Sequence, residues 1–302
     1  MRIYFQKKEC PACHNRHDPI EKVCPHCGQE DPAMRDFHAF DHHVRDAFGW
    51  QIAYFLIQLV GFQLLGVFIG LFAQIGFMVS HSSASSEEAS AFLKDINVQF
   101  TVTAIAYLIV CGLFFLFFGV RKKYGSLFAS FKDYRNYLWG LLGGAGLLGF
   151  QILYSVLIGF IFKAAGYEAP GVNANESSIR AMCQSLPVLC IIVFGVIGPF
   201  TEEIGYRVGL FGFTARFGKV LAYVLSAVIF GFIHFNWAAL FTPELQATLP
   251  VEFANLPAYI IPGIGLAFLY DRFGLAASFT AHTVNNLYSI ISTIIQGANG
   301  NA

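Results

Sequence analysis

The sequence predicts an all-α protein: a polytopic helical membrane bundle of about seven spans, preceded by a small metal-binding unit. Three observations carry this. The 302 residues are 56% hydrophobic and 13% charged, whereas a soluble domain carries roughly 25% charged residues. Beyond residue 50 the chain is a succession of long apolar runs. Ahead of them stand four cysteines in two close pairs. Phe occurs 33 times, which suits lipid-facing and helix-packing surfaces. The formal net charge is zero, so no bulk attraction to nucleic acid is implied and no such partner is expected. The first residues are polar and lack an apolar core, so no secretory leader is expected.

Residues 1–30 form the cysteine-rich unit. Cys10-Pro-Ala-Cys13 is followed after a short gap by Cys24-Pro-His-Cys27-Gly28. Two such pairs place four thiolates around one Zn²⁺ in tetrahedral geometry, and four cysteines leave no open position for catalysis. Gly28 permits the backbone turn of a zinc knuckle; His14 holds the matching place after the first pair. The segment is too small for a core of its own, so bound metal would supply folding free energy. Reduced thiols fit the cytosol. A redox or disulfide pair is the competing reading. The unit resembles the zinc-ribbon domains found at the ends of many bacterial membrane proteins. A zinc ribbon there implies structural zinc and a cytoplasmic protein partner. His14, His17 and His26 are expected to be exposed rather than ligands. Cys111, Cys183 and Cys190 lie in apolar segments and read as small buried hydrophobes.

Residues 31–49 are polar and mixed in charge, as in a linker or an interfacial segment. A span needs about 20 apolar residues, and the runs predict spans at 50–79, 98–120, 137–163, 184–215, 219–237, 257–271 and 273–294, with a tail at 295–302. The fourth is long and polar in its second half, so a bend is expected at Gly198 and Pro199. The sixth is short enough to be partly re-entrant. Basic residues cluster before the first span and in alternate loops: Arg121, Lys122, Lys123, Lys132 and Arg135, then Arg216 and Lys219, then Arg272. The intervening loops hold few. Cytoplasmic loops are rich in Lys and Arg, so the N-terminus is expected in the cytoplasm.

Charged side chains inside a bilayer cost at least about 2.5–3.5 kcal/mol and are functional candidates by default. Thr201-Glu202-Glu203-Ile204-Gly205-Tyr206-Arg207 follows the fourth apolar run without a loop signal. On a helix Glu203 and Arg207 share a face and neutralise each other. Glu202, rotated by about 100°, is left free for chemistry as a general base. His234 stands late in the fifth run with Phe230 one turn earlier. His282 and Asn286 are one turn apart on the seventh, suited to holding a water, a metal or an oxyanion. Each has a plainer reading: an ion-pair network for the glutamates, a packed histidine for His234, an interhelical hydrogen bond for His282 and Asn286.

Glu-Glu-x-x-x-Arg, Phe-x-x-x-His and His-x-x-x-Asn, in that order on successive apolar helices, resemble the CPBP (CAAX protease and bacteriocin-processing, or Abi) intramembrane protease family. Here they read EEIGYR, FGFIH and HTVNN, within residues 184–294. The family often has Gly directly after the motif Arg, where this chain has Val208 followed by Gly209. The resemblance implies the type II CAAX prenyl endopeptidase architecture, a helical bundle with a polar cavity open to the membrane and the cytosol, with 184–294 as its catalytic core behind N-terminal helices at 50–183. It implies that Glu202 activates water for peptide hydrolysis, aided by His234. His282 and Asn286 would stabilise the oxyanion, with Glu203 and Arg207 supporting. A metal-independent glutamate mechanism fits the family, and two His with a Glu also resemble a catalytic zinc set, so the catalytic metal stays open. The implied substrate is a membrane-associated peptide or protein in a bacterial inner or plasma membrane. Two other readings stand beside it: a non-enzymatic immunity or partner-binding protein on the same scaffold, and a transporter whose charges line a pathway.

Overall fold

The computed structural model describes residues 7–19, 21–31 and 40–300. The expected linker, the tail, and Arg2 and Arg35 fall wholly or partly outside the described residues. At the N-terminus, β1 (Lys8–Glu9) pairs antiparallel with β2 (Arg16–His17). The bundle follows: α1 (Phe48–Ser80), α2 (Ser86–Lys94), α3 (Ile96–Val120), α4 (Tyr134–Ala164), α5 (Ala174–Ser185), α6 (Pro187–Thr214), α7 (Lys219–Phe232), α8 (Pro243–Phe273) and α9 (Leu275–Gly300).

Five of these are long and apolar enough to cross a membrane: α1, α3, α4, α6 and α8. The expected fifth span is the shorter α7, and the seventh is α9, long but more polar. The sixth is not a short re-entrant piece but the end of a 31-residue helical run. Boundaries follow local chemistry. Asp95, Asp133 and Asn173 cap α3, α4 and α5 by accepting backbone N–H bonds. Ser85 and Glu88 form a reciprocal capping box that starts α2. Gly274, at φ +84°, turns α8 into α9 where a Cβ would meet Ser130 at 2.7 Å.

Burial separates a central helix from a lipid-facing shell. In the most apolar stretch of α6 67% of residues are buried, against 0% in α4. Phe72, Leu153 and Phe160 are exposed on the outside of α1 and α4, the pattern expected where lipid covers the surface. Together with the five helices long and apolar enough to cross a membrane, this makes the chain an integral membrane protein.

The four cysteine sulfurs lie within 4.8 Å of one another. The two pairs form near-identical knuckles. The N–H of His14 bonds the Cys10 carbonyl and that of Gly28 the Cys24 carbonyl, each at 2.9 Å. His14 takes φ +57° and Gly28 φ +77°. Pairs Glu9–Arg16 and Val23–Glu30 close the two turns. The donor set and its spacing fit one tetrahedral ion. His14 and His26 are exposed as expected, but His17 is buried where β2 folds back, with Nδ1 on the Asp18 carbonyl.

Residues 40–47 are irregular and lodge under the bundle rather than forming an interfacial helix. The Val44 N–H donates to Tyr270 Oη, and His43 Nε2 lies 2.8 Å from Asp271. Burial holds the His43 imidazole below its ordinary pKa, against the opposing pull of Asp271. Arg216, fully buried, joins the Asp18 carboxylate of the ribbon to Gln51 and to the Asp46 carbonyl. The ribbon is thereby tied to the end of the bundle that carries the 121–135 loop.

Candidate active site

The central helix α6 carries both glutamates, and it is irregular where they stand. π-Helical turns at Val193–Ile197 and Ile204–Phe211 flank a short α segment, Gly198–Glu203. The expected bend at Gly198 and Pro199 is thus a change of hydrogen-bond register. The Gly198 N–H reaches back five residues to the Val193 carbonyl. The next bond in that register would need an N–H from residue 199, which is proline and has none. The Phe194 carbonyl takes its hydrogen bond from Asn286 Nδ2 instead, at 3.0 Å. One proline therefore places Asn286 beside the site.

Close backbone approach positions the remaining helices. A Cβ at Gly205 would lie 2.3 Å from Gln58 Cβ, and one at Gly209 would lie 2.8 Å from Phe55 N. This small-residue stripe lets α1 seat on the second π segment. It also explains the departure from the family pattern: Val208 fills the core at 0% exposure, while Gly209 meets α1. On the other side, Gly140 and Gly144 of α4 face the carbonyls of Ala277 and Ala281. They let α4 pack closely against residues 277–284 of α9, the stretch that carries His282.

The expected residues meet. Glu203 and Arg207 are both at 0% exposure, with Glu203 Oε2 3.4 Å from Arg207 Nε. Arg207 also donates to Ser226 Oγ at 3.2 Å and lies over the Phe230 ring at 4.7 Å. The other Glu203 oxygen sits 3.0 Å from His282 Nδ1. That contact turns His282 Nε2 toward Glu202, whose Oε2 is 3.7 Å away, an ion-pair distance beyond hydrogen-bond reach. Glu202 Oε1 accepts a hydrogen bond from Tyr107 Oη at 2.7 Å. His234 stands at the end of α7, its Nδ1 2.8 Å from the Phe230 carbonyl and its ring stacked on Tyr259 at 4.5 Å. An Nδ1–H donated to that carbonyl leaves Nε2 with a lone pair. Glu202, His234, His282 and Asn286 all line one cavity of about 570 Å³.

Sequence reasoning missed the groups that hold these in place. Tyr107 comes from α3, where a tyrosine in an apolar run carries no signal. Asn173 donates to the His234 carbonyl and accepts from Tyr259 Oη, and Glu252 accepts the N–H groups of Ala174 and Asn236. Glu252 is buried at 1% exposure. An acid in an otherwise apolar stretch of a loop without basic residues was the one available sign of it. The ribbon cysteines are the only group among the described residues gathered tightly enough to hold a metal ion. Glu202, His234 and His282 are not drawn together to that degree.

Residues 184–288 match the family model described as type II CAAX prenyl endopeptidase Rce1-like. This segment is therefore similar to Rce1-like domains. It contains Glu202, Glu203, Arg207, His234, His282 and Asn286, so the three motifs pointed to the right family. Tyr107 lies outside it. An uncharacterized protein of Mycoplasma capricolum subsp. capricolum is 24% identical over 240 residues, 77% of this chain and 64% of that protein. The UPF0177 protein YvdC of Lactococcus lactis subsp. lactis is 21% identical over 152 residues, 49% of this chain and 52% of its own length. The chain therefore spans less than two thirds of either relative. No solved structure matches the chain significantly.

Proposed function

We propose that this chain is an intramembrane endopeptidase that hydrolyses peptide bonds in membrane-associated proteins or peptides by glutamate-activated water. The observation that carries the reading is the setting of Glu202. One oxygen is held by Tyr107 and the other faces His282 in the cavity. Glu202 Oε2 takes a proton from water as that water attacks the peptide carbonyl carbon. His234, with Nε2 as an acceptor, helps orient the water. His282, carrying a proton on Nε2 in addition to the Nδ1–H held by Glu203, and the second Nδ2 hydrogen of Asn286 donate to the developing oxyanion. Collapse of the tetrahedral intermediate breaks the C–N bond, and the amine leaves with the proton held by Glu202. Glu203 and Arg207 position His282. The uneven gathering of the donors favours Glu202 itself as the base over a catalytic metal.

In the ribbon, Cys10, Cys13, Cys24 and Cys27 would hold a structural Zn²⁺, which fixes the fold of residues 7–31. That domain would recruit a cytoplasmic protein partner, and the setting is a bacterial inner or plasma membrane.

The test uses purified protein in detergent and a fluorogenic membrane-peptide library. Glu202→Gln should lower turnover by about 10²–10⁴-fold with the melting temperature preserved. Undiminished turnover in that variant sinks the mechanism. If Glu202, His234 and His282 can all be replaced without any change in the phenotype of the host cell, a non-enzymatic immunity or binding role replaces it.

A further inference from the structure

The cavity and the basic loops lie at opposite ends of the bundle. On α9 the residues His282, Asn286, Ser289, Thr293 and Gln296 all line the cavity. Their spacing of four, three, four and three keeps them on one helical face. Fourteen residues at 1.5 Å each carry this polar stripe about 21 Å from the reacting groups toward the end away from the ribbon. The opposite wall runs the same way: Gln151 and Ser155 sit in the far half of α4, and Asn175 and Glu176 in α5, which lies at the far end. Glu176 accepts from Ser289 at 3.1 Å and pairs with Arg180, a charged group at the mouth. A polar stripe on a membrane helix is expected only against water or protein. Toward the ribbon the cavity is shut by the buried Glu203–Arg207 pair and by Phe230, Tyr206 and Leu266.

Two independent observations orient this axis. The ribbon end carries Arg121, Lys122, Lys123, Lys132, Arg135, Arg216, Lys219 and Arg272, whereas the far-end segments carry Lys94, Lys163 and Arg180. The excess of Lys and Arg marks the cytoplasmic side. The four clustered thiols of the ribbon, tied to that same end through Arg216 and Asp18, need a reducing compartment. A cytosolic mouth, which the family resemblance implies, is incompatible with both.

We infer that the cavity opens on the non-cytoplasmic side of the membrane and takes peptide segments presented from that side. The floor, Glu202, lies 15 residues into α6, about 22 Å from its far end. Water and substrate reach it along the α9 stripe. The substrate half of this inference rests on the endopeptidase reading; the direction of the opening does not.

Cysteine labelling in intact bacteria tests the opening without requiring activity. In a background with Cys111, Cys183 and Cys190 replaced by Ala, Ser292→Cys places a thiol in the cavity and Lys132→Cys places one in a ribbon-end loop. A membrane-impermeant maleimide should label the Ser292→Cys protein on intact cells as fully as on permeabilised ones. It should label Lys132→Cys only after permeabilisation. The reverse pattern, or a Ser292→Cys thiol that stays unreactive even in permeabilised cells, overturns the inference. In sealed vesicles given peptide outside only, right-side-out preparations should cleave and inverted ones should not; cleavage confined to inverted vesicles overturns the substrate half. If detergent-solubilised wild type cleaves nothing while the labelling holds, the endopeptidase reading fails and the outward opening stands.

Discussion

The ribbon and the membrane site each draw polar side chains to one point, by opposite means. In the ribbon the four sulfurs come from residues 10–27, and each knuckle is set by its own backbone hydrogen bonds. In the membrane site Tyr107, Glu202, His234 and His282 come from four different helices, placed by glycine contacts and by a register change at Pro199. The first arrangement is local and, with the proposed Zn²⁺ bound, would draw its free energy from the metal. The second is long-range and relies on packing, so its parts should fail separately.

The largest expected effect belongs to the ribbon. Cys24→Ser/Cys27→Ser removes two of four ligands, and structural zinc sites contribute about 10–16 kcal/mol of apparent binding free energy. Zinc content should fall to background by atomic absorption, and residues 7–31 should become protease-sensitive. Helical circular dichroism should persist, because the bundle has its own core. Loss of the bundle as well would erase the distinction between local and long-range assembly.

The next effect belongs to the membrane site. Arg207→Met leaves Glu203 buried without its cation, and breaking a buried pair costs about 3–5 kcal/mol. The variant should melt well below wild type in detergent. Adding Glu203→Gln should recover most of that loss, since replacing both partners is often near neutral, yet His282 would then lack its carboxylate and turnover should stay low. Recovery of stability without recovery of activity would separate packing from positioning.

These two regions also differ in how far they could be read in the sequence. The cysteine spacing sufficed for the ribbon because its geometry is contained in a few consecutive residues. In the bundle, Glu202, His234, His282 and Asn286 stood out because ionisable and amide groups are costly in apolar runs. Their convergence did not, since it depends on the Phe194 carbonyl losing its backbone donor and on which glycines face a neighbouring helix. Tyr107 was invisible for the same reason, being one tyrosine in a hydrophobic helix whose partner is ninety-five residues away.

Tyr107→Phe sharpens that point. A hydrogen bond to a charged group is worth about 1.5–3 kcal/mol, and each 1.36 kcal/mol is tenfold in rate. kcat should fall by roughly 10–100-fold, with KM and melting temperature nearly unchanged. A matching rise in KM, or a drop in melting temperature, would make Tyr107 a packing residue. The same change in the Glu202→Gln background should have little further effect on turnover.

The smallest effect returns to the ribbon, where the two knuckles form an internal control. They share their hydrogen bonds and their left-handed fifth residue, but that residue is His14 in one and Gly28 in the other. A side chain in this conformation costs about 1–2 kcal/mol, partly offset by the greater freedom glycine has in the unfolded chain, about 0.5–1 kcal/mol. His14 also contacts Glu9 at 2.9 Å on an exposed surface, which adds little. His14→Gly should therefore tighten zinc retention against a chelator by about twofold, while Gly28→His should weaken it by a similar or larger factor. Equal responses of the same sign would mean that tertiary contacts with the bundle, rather than each local turn, set the stability of the ribbon.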